Sequence, residues 1–284
     1  MKNYTPLRYP GGKIKTYNYV KELIKINNCK TYIEPYAGGS GVAMALLLNG
    51  NINKVMLNDY DRAIYALWYS ILNSTTELIK LIESTSITVE EWEKQKKIYN
   101  QKEDIEDLLK LGYATLFLNR TNRSGILKAG IIGGKKQNGK YKIDCRFNKK
   151  DLCNKIKRIS KFKNKIKLYN LDAEVFIKTS ITKTKDSFTF LDPPYYKKGP
   201  GLYTNFYSHE NHKSLSKTID TFMKNKYWIL TYDYCDEIYE MYSHLDSQTH
   251  YINYSISTPT KGLEYIFYSP ILNRGDTSKY LKLH

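Results

Sequence analysis

An acidic residue, two prolines and an aromatic residue follow one another at the end of a predicted strand. The apolar run 187–191 leads directly into Asp192, Pro193, Pro194 and Tyr195. Because two prolines cannot continue a central strand, the chain must leave the sheet there, at the edge where open α/β sheets bind their ligands. A carboxylate, proline carbonyls free to accept and a ring form a receptor for a planar base with an exocyclic amino group. The alternative, an ordinary strand-ending turn, would be favoured for an isolated Pro-Pro pair.

A glycine-rich turn upstream could hold a nucleoside-like cofactor. In the segment Glu34–Gly41 (EPYAGGSG), glycine removes the Cβ that would keep a ligand away from the backbone at a helix start. Asp59 follows at the end of the next predicted strand, where a carboxylate can bind ribose hydroxyls. A dinucleotide-binding pattern fails because Met44 stands where a third small residue is needed. An ATP-binding loop fails because Lys13 is followed by Ile14 instead of Ser or Thr.

The surrounding pattern predicts an α/β fold with an insertion. Strands are predicted over 31–35, 54–57, 165–169, 187–191 and 227–231, helices over 42–48 and 63–72, and a hairpin over 250–257 and 263–269 with its turn at 259–262. The first 72 residues therefore predict a β-α-β unit of a doubly wound sheet. Residues 77–118 are mostly helical in pattern, and 119–150 are polar, basic and glycine-bearing. We expect a sheet domain over 1–75 and 165–284, interrupted by a mostly helical basic domain over 76–164.

The charge of the chain is concentrated in one segment. The 284 residues carry 45 basic and 28 acidic side chains, a formal charge of +17. Residues 119–167 alone contain 17 Lys and Arg against two acids, Asp144 and Asp151. A segment of one sign attracts a polyanion by displacing the counterions condensed on its phosphates, so nucleic acid is the leading partner. The alternative is a Lys-rich surface that AT-rich coding DNA produces by drift.

Other features of the composition exclude several classes of protein. No window approaches the ~20 apolar residues of a membrane span, and Met1–Tyr4 does not open a signal peptide. The four cysteines are spaced for neither a zinc site nor a compact disulfide framework. His209 and His212 lack a third ligand at a telling spacing, so we interpret them as the start of a helix and expect no metal. A cytoplasmic protein without a membrane partner is expected.

Taken in order, these motifs resemble those of the DNA adenine N6-methyltransferases of the Dam type, the alpha group of amino-methyltransferases. Residues 192–195 resemble the family's catalytic tetrapeptide, 34–41 its glycine-rich loop, and Asp59 its ribose-binding acid. Arg8–Lys13, by itself no more than a β-turn, is similar to its amino-terminal cofactor motif. Asn119–Gly125 (NRTNRSG) is similar to its target-recognition region.

The resemblance implies a Rossmann-like, class I S-adenosylmethionine-dependent methyltransferase sheet with an inserted target-recognition domain. It implies that a methyl group passes from S-adenosylmethionine to the exocyclic N6 of a flipped-out adenine in double-stranded DNA. The catalytic residues would be Asp192, Pro193, Pro194 and Tyr195. The cofactor-binding residues would be Tyr9, Gly12, Lys13, Glu34, Pro35, Tyr36, Ala37, Gly38, Gly39, Asp59, Asp172 and Asp192. The expected DNA contacts are Arg120, Asn122, Arg123, Lys128, Lys135 and Lys136.

Three other functions remain open from the sequence. Methylation of RNA adenine or of cytosine N4 in DNA can use related tetrapeptides, and a catalytically silent DNA-binding module could retain the same fold. A monomer is expected. The motifs do not specify the recognised DNA sequence, a cognate restriction endonuclease as partner, or a bacterial as opposed to a phage origin.

Overall fold

A seven-stranded sheet forms the centre of the molecule. The computed structural model describes residues 4–8, 13–197, 207–255 and 259–281. The strands are β1 Thr31–Glu34, β2 Lys54–Asn58, β3 Ile166–Tyr169, β4 Ser187–Leu191, β5 Tyr227–Asp233, β6 Ser247–Ser255 and β7 Pro259–Tyr268. Their order across the sheet is β3-β2-β1-β4-β5-β7-β6. The first five are parallel, and β7 runs antiparallel to both of its neighbours.

The strand order reverses between β1 and β4. From β1 the chain moves outward to β2 and β3, then returns to the other side of β1 to form β4 and β5. In doubly wound sheets such a reversal opens a crevice at the carboxyl ends of the two adjacent strands. The glycine-rich turn, which follows β1, and the Asp-Pro-Pro-Tyr motif, which follows β4, therefore lie on either side of one crevice.

Helices cover both faces of the sheet and build the insertion. They are α1 Tyr17–Ile26, α2 Gly41–Leu48, α3 Arg62–Asn73, α4 Thr75–Ser84, α5 Val89–Asn100, α6 Leu108–Thr121, α7 Lys149–Ser160, α8 Ala173–Phe176, α9 His209–Phe222 and α10 Asp236–Tyr242. Several begin at side-chain caps: Asp61 accepts from the N–H of Ala63 at α3, and Ser208 and Asn211 form a capping box at α9. Within the described ranges, no helix combines the length and apolar character needed to cross a membrane.

Alternate residues of the strands face two hydrophobic cores, which gives the molecule three layers. Tyr32 and Leu57 belong to the core that packs against α1, α2 and α3. Their neighbours Ile33 and Met56 belong to the core that packs against α8, α9 and α10. Both faces of the central strands are thus covered, as is usual for parallel sheets.

The inserted helices share a core with the sheet. Trp92 of α5, Phe117 of α6 and Phe147 belong to the same hydrophobic cluster as Tyr32 of β1. α3 packs along α6, and α7 packs against α3 and α4. The division into two domains at residues 76 and 164 stays a prediction.

The predicted strands are confirmed, but the predicted hairpin turn is wrong. The turn was expected at residues 259–262, whereas β7 already begins at Pro259, which pairs with Ser255 of β6. A proline is tolerated at the first residue of a strand. The sequence pattern therefore placed the start of the turn at residue 259, whereas the connection between the strands begins at residue 256. The connection, residues 256–258, lies outside the described residues.

Candidate active site

The acid of the Asp-Pro-Pro-Tyr motif is held at the end of β4 by two neighbours. Thr231 of β5 donates its hydroxyl to Asp192 Oδ1 at 2.7 Å, and Lys13 Nζ lies 3.3 Å from the same oxygen. The Asp192 side chain is nevertheless 27% exposed. A carboxylate that is oriented by the sheet but open to the crevice can accept a hydrogen bond from a ligand.

Lys13 contacts three acceptors around this acid. Besides Asp192, its ammonium donates to the Tyr195 hydroxyl at 2.5 Å and to Glu264 Oε1 at 2.7 Å. Glu264, on β7, is completely buried, and this burial raises the pKa of its carboxyl to about 7. Sequence reasoning did not single out Glu264, although an acid within the apolar run 263–268 was a signal for a buried charge with a partner.

Tyr195 is buried in this conformation. Its side chain is 2% exposed, and the Lys13 ammonium also lies 5.0 Å from the centre of its ring. Of the two prolines before it, Pro193 is buried and Pro194 is half-buried. A base that stacks on Tyr195 therefore requires the ring to become exposed.

The backbone after the tetrapeptide is fixed by a second acid of β5. Asp233 Oδ1 accepts from the N–H of Tyr196 at 2.8 Å, and Oδ2 accepts from the N–H of Lys197 at 2.9 Å. Asp233 is itself buried. It was not among the predicted site residues, and its position two residues after Thr231 on the same strand is the signal that could have identified it.

The glycine turn after β1 is held by the end of β2. Gly38 and Ser40 both adopt left-handed backbone conformations, with φ of 45° and 44°. Asp59 Oδ2 accepts from the N–H of Gly38 at 2.8 Å, while Trp68 Nε1 donates to the Gly38 carbonyl at 2.9 Å. The predicted ribose-binding acid and the predicted cofactor turn are therefore in direct contact.

Asn58 joins three strand ends at the same edge. Its Nδ2 donates to the carbonyls of Pro35 and Leu171 at 3.0 and 2.9 Å, and its Oδ1 accepts from the N–H of Leu171. Asp172 follows directly and caps α8 by accepting from the N–H of Glu174 at 2.9 Å. Asp172 is exposed on the rim of the crevice.

Two of the residues predicted to bind the cofactor have carboxyl groups whose pKa is raised. Burial raises the pKa of Glu34 to about 7. Burial, together with the charge of Asp61, also raises the pKa of Asp59 to about 7. Glu34 Oε1 accepts from the Tyr32 hydroxyl at 3.0 Å, whereas its Oε2 is buried without a hydrogen-bond partner among the described residues. The Ser40 hydroxyl and the Ala43 N–H, at the start of α2, also lie beside this carboxyl and lower its pKa, but burial outweighs them.

The remaining predicted cofactor residues are distributed around this turn. Ala37 donates its N–H to the Asn58 carbonyl at 2.8 Å and accepts from the N–H of Ser40. The Tyr36 hydroxyl lies 3.1 Å from that of Tyr207, just before α9. Gly39 lies within the turn itself. Tyr9 and Gly12 lie outside the described residues.

The two histidines lie at the start of α9, as interpreted from the sequence. His212 is buried with its Nδ1 2.8 Å from the Tyr232 hydroxyl, and burial lowers its pKa to about 4. His209 Nδ1 lies 3.0 Å from the Tyr196 hydroxyl. No group of three or more potential metal-binding side chains occurs in the part of the chain that the structure describes.

Two of the six predicted DNA-binding side chains are buried. Arg120 donates to the carbonyls of Arg146 and Pro6, and burial lowers its pKa to about 10. Asn122 accepts from Trp92 Nε1 at 2.6 Å and donates to the carbonyl of Leu127 at 2.9 Å. Both side chains hold the loop after α6 together, so in this conformation neither can touch DNA.

The other four predicted DNA contacts are exposed. They are Arg123, Lys128, Lys135 and Lys136. Lys135 forms an exposed ion pair with Glu93 of α5 at 2.8 Å. Exposed ion pairs contribute little to stability, so Lys135 can exchange this partner for a phosphate at small cost.

This fold and this site define a class of protein. A doubly wound sheet with a glycine turn after β1 and an Asp-Pro-Pro-Tyr turn after the adjacent β4 is that of a Rossmann-like methyltransferase. Residues 9–257 match the family described as D12 class N6 adenine-specific DNA methyltransferase, and the chain belongs to that family.

Two similar proteins are methyltransferases by name. The type II methyltransferase M.MjaIII of Methanocaldococcus jannaschii is 26% identical over 203 residues, which cover 66% of this chain and 68% of the relative. The type II methyltransferase M.CviBI of Paramecium bursaria Chlorella virus NC1A is 25% identical over 259 residues, which cover 86% and 90%.

The chain is therefore a site-specific DNA methyltransferase that acts on the N6 amino group of adenine, as its motifs predicted. DNA is its substrate, and it requires a methyl donor. The family favours adenine in DNA over RNA adenine and cytosine N4, and an enzyme over a catalytically silent module.

Proposed function

We propose that the methyl donor is S-adenosylmethionine and that it binds between the carboxyl ends of β1 and β4. Gly38, Gly39 and the adjacent residues of the glycine turn would approach it through the backbone, while Asp59 would accept from its ribose hydroxyls. Asp172 would lie near its adenine. When bound, it supplies a methyl group on a positively charged sulfur. The left-handed backbone of the glycine turn and its contact with Asp59 support a ligand at this place.

Asp192 is proposed to activate the acceptor amine. The lone pair of adenine N6 is delocalised into the ring, which makes it a weak nucleophile. Hydrogen bonds from N6 to Asp192 and to the carbonyl of Pro193 would localise that pair toward the donor methyl group. N6 loses one proton in the reaction, and Asp192 is positioned to accept it. The observation that carries this proposal is the partly exposed Asp192 carboxylate, oriented by Thr231 at the crevice.

The target adenine is proposed to leave the duplex. Its amino group is walled in by neighbouring base pairs, so the enzyme must extrude it, at a cost of a few kcal/mol for unstacking. Tyr195 would then stack on the base once its ring is uncovered. In the present conformation Lys13 donates to the Tyr195 hydroxyl, so entry of the base would rearrange the surroundings of this contact.

The basic segment of the insertion is proposed to bind the duplex. Arg123, Lys128, Lys135 and Lys136 would contact phosphates more than bases, as most protein–DNA hydrogen bonds do. We reassign Arg120 and Asn122, which are buried, to holding the loop that presents these cations. We further propose that the enzyme is a monomer in the cytoplasm of a bacterial or phage-infected cell. Its proposed protein partner is a cognate restriction endonuclease.

A methylation assay with an acid variant tests the proposed role of Asp192. Sequencing that detects N6-methyladenine, on DNA from cells that express the chain, first defines the methylated sequence. Methyl transfer from S-adenosylmethionine to a duplex with that sequence is then measured for wild type and Asp192→Ala. We expect transfer to be abolished, while affinity for the duplex stays within about threefold because phosphate contacts supply most of it.

The matched control is Asp104→Ala, which removes an exposed carboxylate from the loop after α5 and should leave transfer unchanged. Turnover of Asp192→Ala close to that of wild type would refute the mechanism. Failure of S-adenosylmethionine to bind the wild-type protein would refute the donor.

A further inference from the structure

A row of buried polar side chains crosses three strands behind the candidate active site. Asp233 of β5 is paired in register with Glu264 of β7, and Glu264 is paired with His250 of β6. Paired residues of antiparallel strands project on the same face of a sheet. All three are buried. Asp233 already has a role in this row, since it fixes the backbone after Tyr195.

Glu264 faces the active site through Lys13. The Lys13 ammonium lies 2.7 Å from Glu264 Oε1 but 3.3 Å from Asp192 Oδ1. An ammonium has three donors, and the acceptors around Lys13 among the described residues include Asp192, Glu264 and the Tyr195 hydroxyl. The closer and more deeply buried carboxylate is therefore the main counter-ion of Lys13.

This division of contacts matters for the reaction. A lysine whose charge was balanced by Asp192 alone would occupy lone pairs of that carboxylate and lower its capacity to accept from a substrate amine. With Glu264 present, the lysine is drawn to the β7 side, and Asp192 keeps accepting positions toward the crevice. The same contact fixes the ammonium at the hydroxyl of Tyr195.

We propose that Glu264 is a positioning residue for methyl transfer: it holds the Lys13 ammonium between Asp192 and Tyr195, so that Asp192 remains available to the target amino group. The proposal rests on the role of Asp192 given above. Glu264 does not itself touch the reacting atoms.

His250 does not compete for this role. Its Nε2 lies 3.7 Å from Glu264 Oε2, but burial and the nearby Lys13 charge lower its pKa to about 4. It is therefore neutral at assay pH and leaves Lys13 as the cation of the cluster. In the part of the chain that the structure describes, the charged groups around Glu264 include Lys13, Asp192 and, across the strand pair, Asp233.

The test compares Glu264→Gln with wild type in single-turnover methylation of the duplex defined by sequencing. Glutamine keeps an oxygen for the Lys13 hydrogen bond but removes the charge. We expect the rate of transfer to fall by at least tenfold, with the affinities for S-adenosylmethionine and duplex DNA each changed by less than threefold. Glu240→Gln, which removes an exposed carboxylate from α10, is the matched control and should keep the wild-type rate.

A double-mutant cycle with Lys13→Met separates positioning from a general structural effect. If Glu264 acts through Lys13, adding Glu264→Gln to Lys13→Met should change the residual rate by less than twofold. Thermal melting of each variant checks folding. Should Glu264→Gln not fold, Glu264→Asp replaces it: the shorter side chain keeps the charge but moves the carboxylate away from Lys13, so its rate should fall below wild type, and a folded Glu264→Asp with the wild-type rate would count against the proposal.

Three results would overturn the proposal. One is a rate for folded Glu264→Gln within twofold of wild type. Another is a reduction in rate that persists at full size in the Lys13→Met background. The third is a reduction explained entirely by weaker cofactor binding. If instead Asp192→Ala has the same rate as wild type, the mechanism given under the proposed function is refuted. The two failures are therefore distinguishable.

Discussion

The side-chain amide of Asn119 forms two hydrogen bonds with the backbone of Arg8. Oδ1 accepts from the Arg8 N–H at 2.8 Å, and Nδ2 donates to the Arg8 carbonyl at 2.7 Å. Nδ2 also donates to the carbonyl of Gly125 at 2.9 Å. The end of α6 is thereby joined to the amino-terminal segment that leads toward Lys13.

This contact connects the two functional regions of the molecule. The segment 119–125, which resembles a target-recognition motif, holds Arg8 and is followed directly by the exposed cations of the insertion. Lys13, a few residues after Arg8, contacts Asp192. The motif thus has a structural role in holding the backbone of Arg8, in addition to any contact of Arg123 with DNA.

Gly125→Ala should destabilise the protein through this contact. Gly125 has a φ of +75°, and a Cβ atom there would lie 2.6 Å from the Arg8 carbonyl oxygen. We expect the free energy of unfolding to fall by about 3 kcal/mol, of which about 1 kcal/mol is conformational strain. Chemical denaturation measures it.

Gly50→Ala is the control for this substitution. Gly50 has a similar φ of +71°, but no atom lies within 4 Å of the position of its Cβ. Gly50→Ala should therefore lower the free energy of unfolding only by the conformational strain, about 1 kcal/mol. Equal destabilisation in the two variants would contradict the proposed close contact with Arg8.

Glu34→Gln should stabilise the cofactor-free protein at high pH. The pKa of Glu34 is raised to about 7 in the fold, above its ordinary value of 4.5. A raised carboxyl pKa contributes stability that is fully present below the unfolded pKa and is lost as pH rises through the folded pKa. Wild type therefore loses stability between about pH 4.5 and 7, on the order of 1–3 kcal/mol, and the glutamine variant does not lose this part.

Melting curves of wild type and Glu34→Gln at pH 5 and pH 8 measure the difference. Glutamine keeps an acceptor for the Tyr32 hydroxyl, and the part of the difference in melting temperature that changes with pH reports the charge. The variant should melt higher than wild type at pH 8, with the gap narrowing at pH 5. A gap that is constant with pH would show that the carboxyl is not the cause.

Tyr195→Phe and Tyr195→Ala should differ strongly in methyl transfer. Phenylalanine keeps the stacking ring and removes only the hydroxyl that Lys13 contacts, so its rate should stay within about tenfold of wild type. Alanine also removes the proposed stacking surface, which adds about 1–3 kcal/mol. Single-turnover rates on a duplex and on one with a mismatched target base test this. The mismatch should rescue neither variant if Tyr195 acts after extrusion.

Neutralising Lys135 and Lys136 should weaken binding to all DNA sequences. Removing one phosphate contact reduces the slope of log affinity against log salt by about 0.9, so the double Gln variant should have a slope smaller by up to about 2. Fluorescence anisotropy over a range of salt measures it. Lys224→Gln, just before the amino-terminal end of β5, should leave the slope unchanged. An unaltered slope in the double variant would remove both lysines from the interface.

Local pattern was sufficient for the framework of this protein. Strands β1 to β5, the helices α2 and α3 and the turns at residues 34–41 and 192–195 were predicted, because apolar runs, glycines and prolines act within a few residues of chain. The order of the motifs then identified the chemistry, and the family match bears this out. The density of cations in residues 119–167 predicted nucleic acid as the partner in the same way.

Tertiary structure decided which side chains face the crevice and which are buried. Arg120 and Asn122 lie in a basic motif, yet both are turned inward because their partners include distant segments: Arg120 donates to the carbonyl of Arg146, and Asn122 accepts from Trp92 Nε1 of α5. Glu264 is 251 residues from Lys13 in the chain and 2.7 Å from it in space. No local pattern encodes such a pair: it exists because antiparallel pairing of β7 with β5 brings a carboxylate beneath the ammonium, and burial makes each charge require the other.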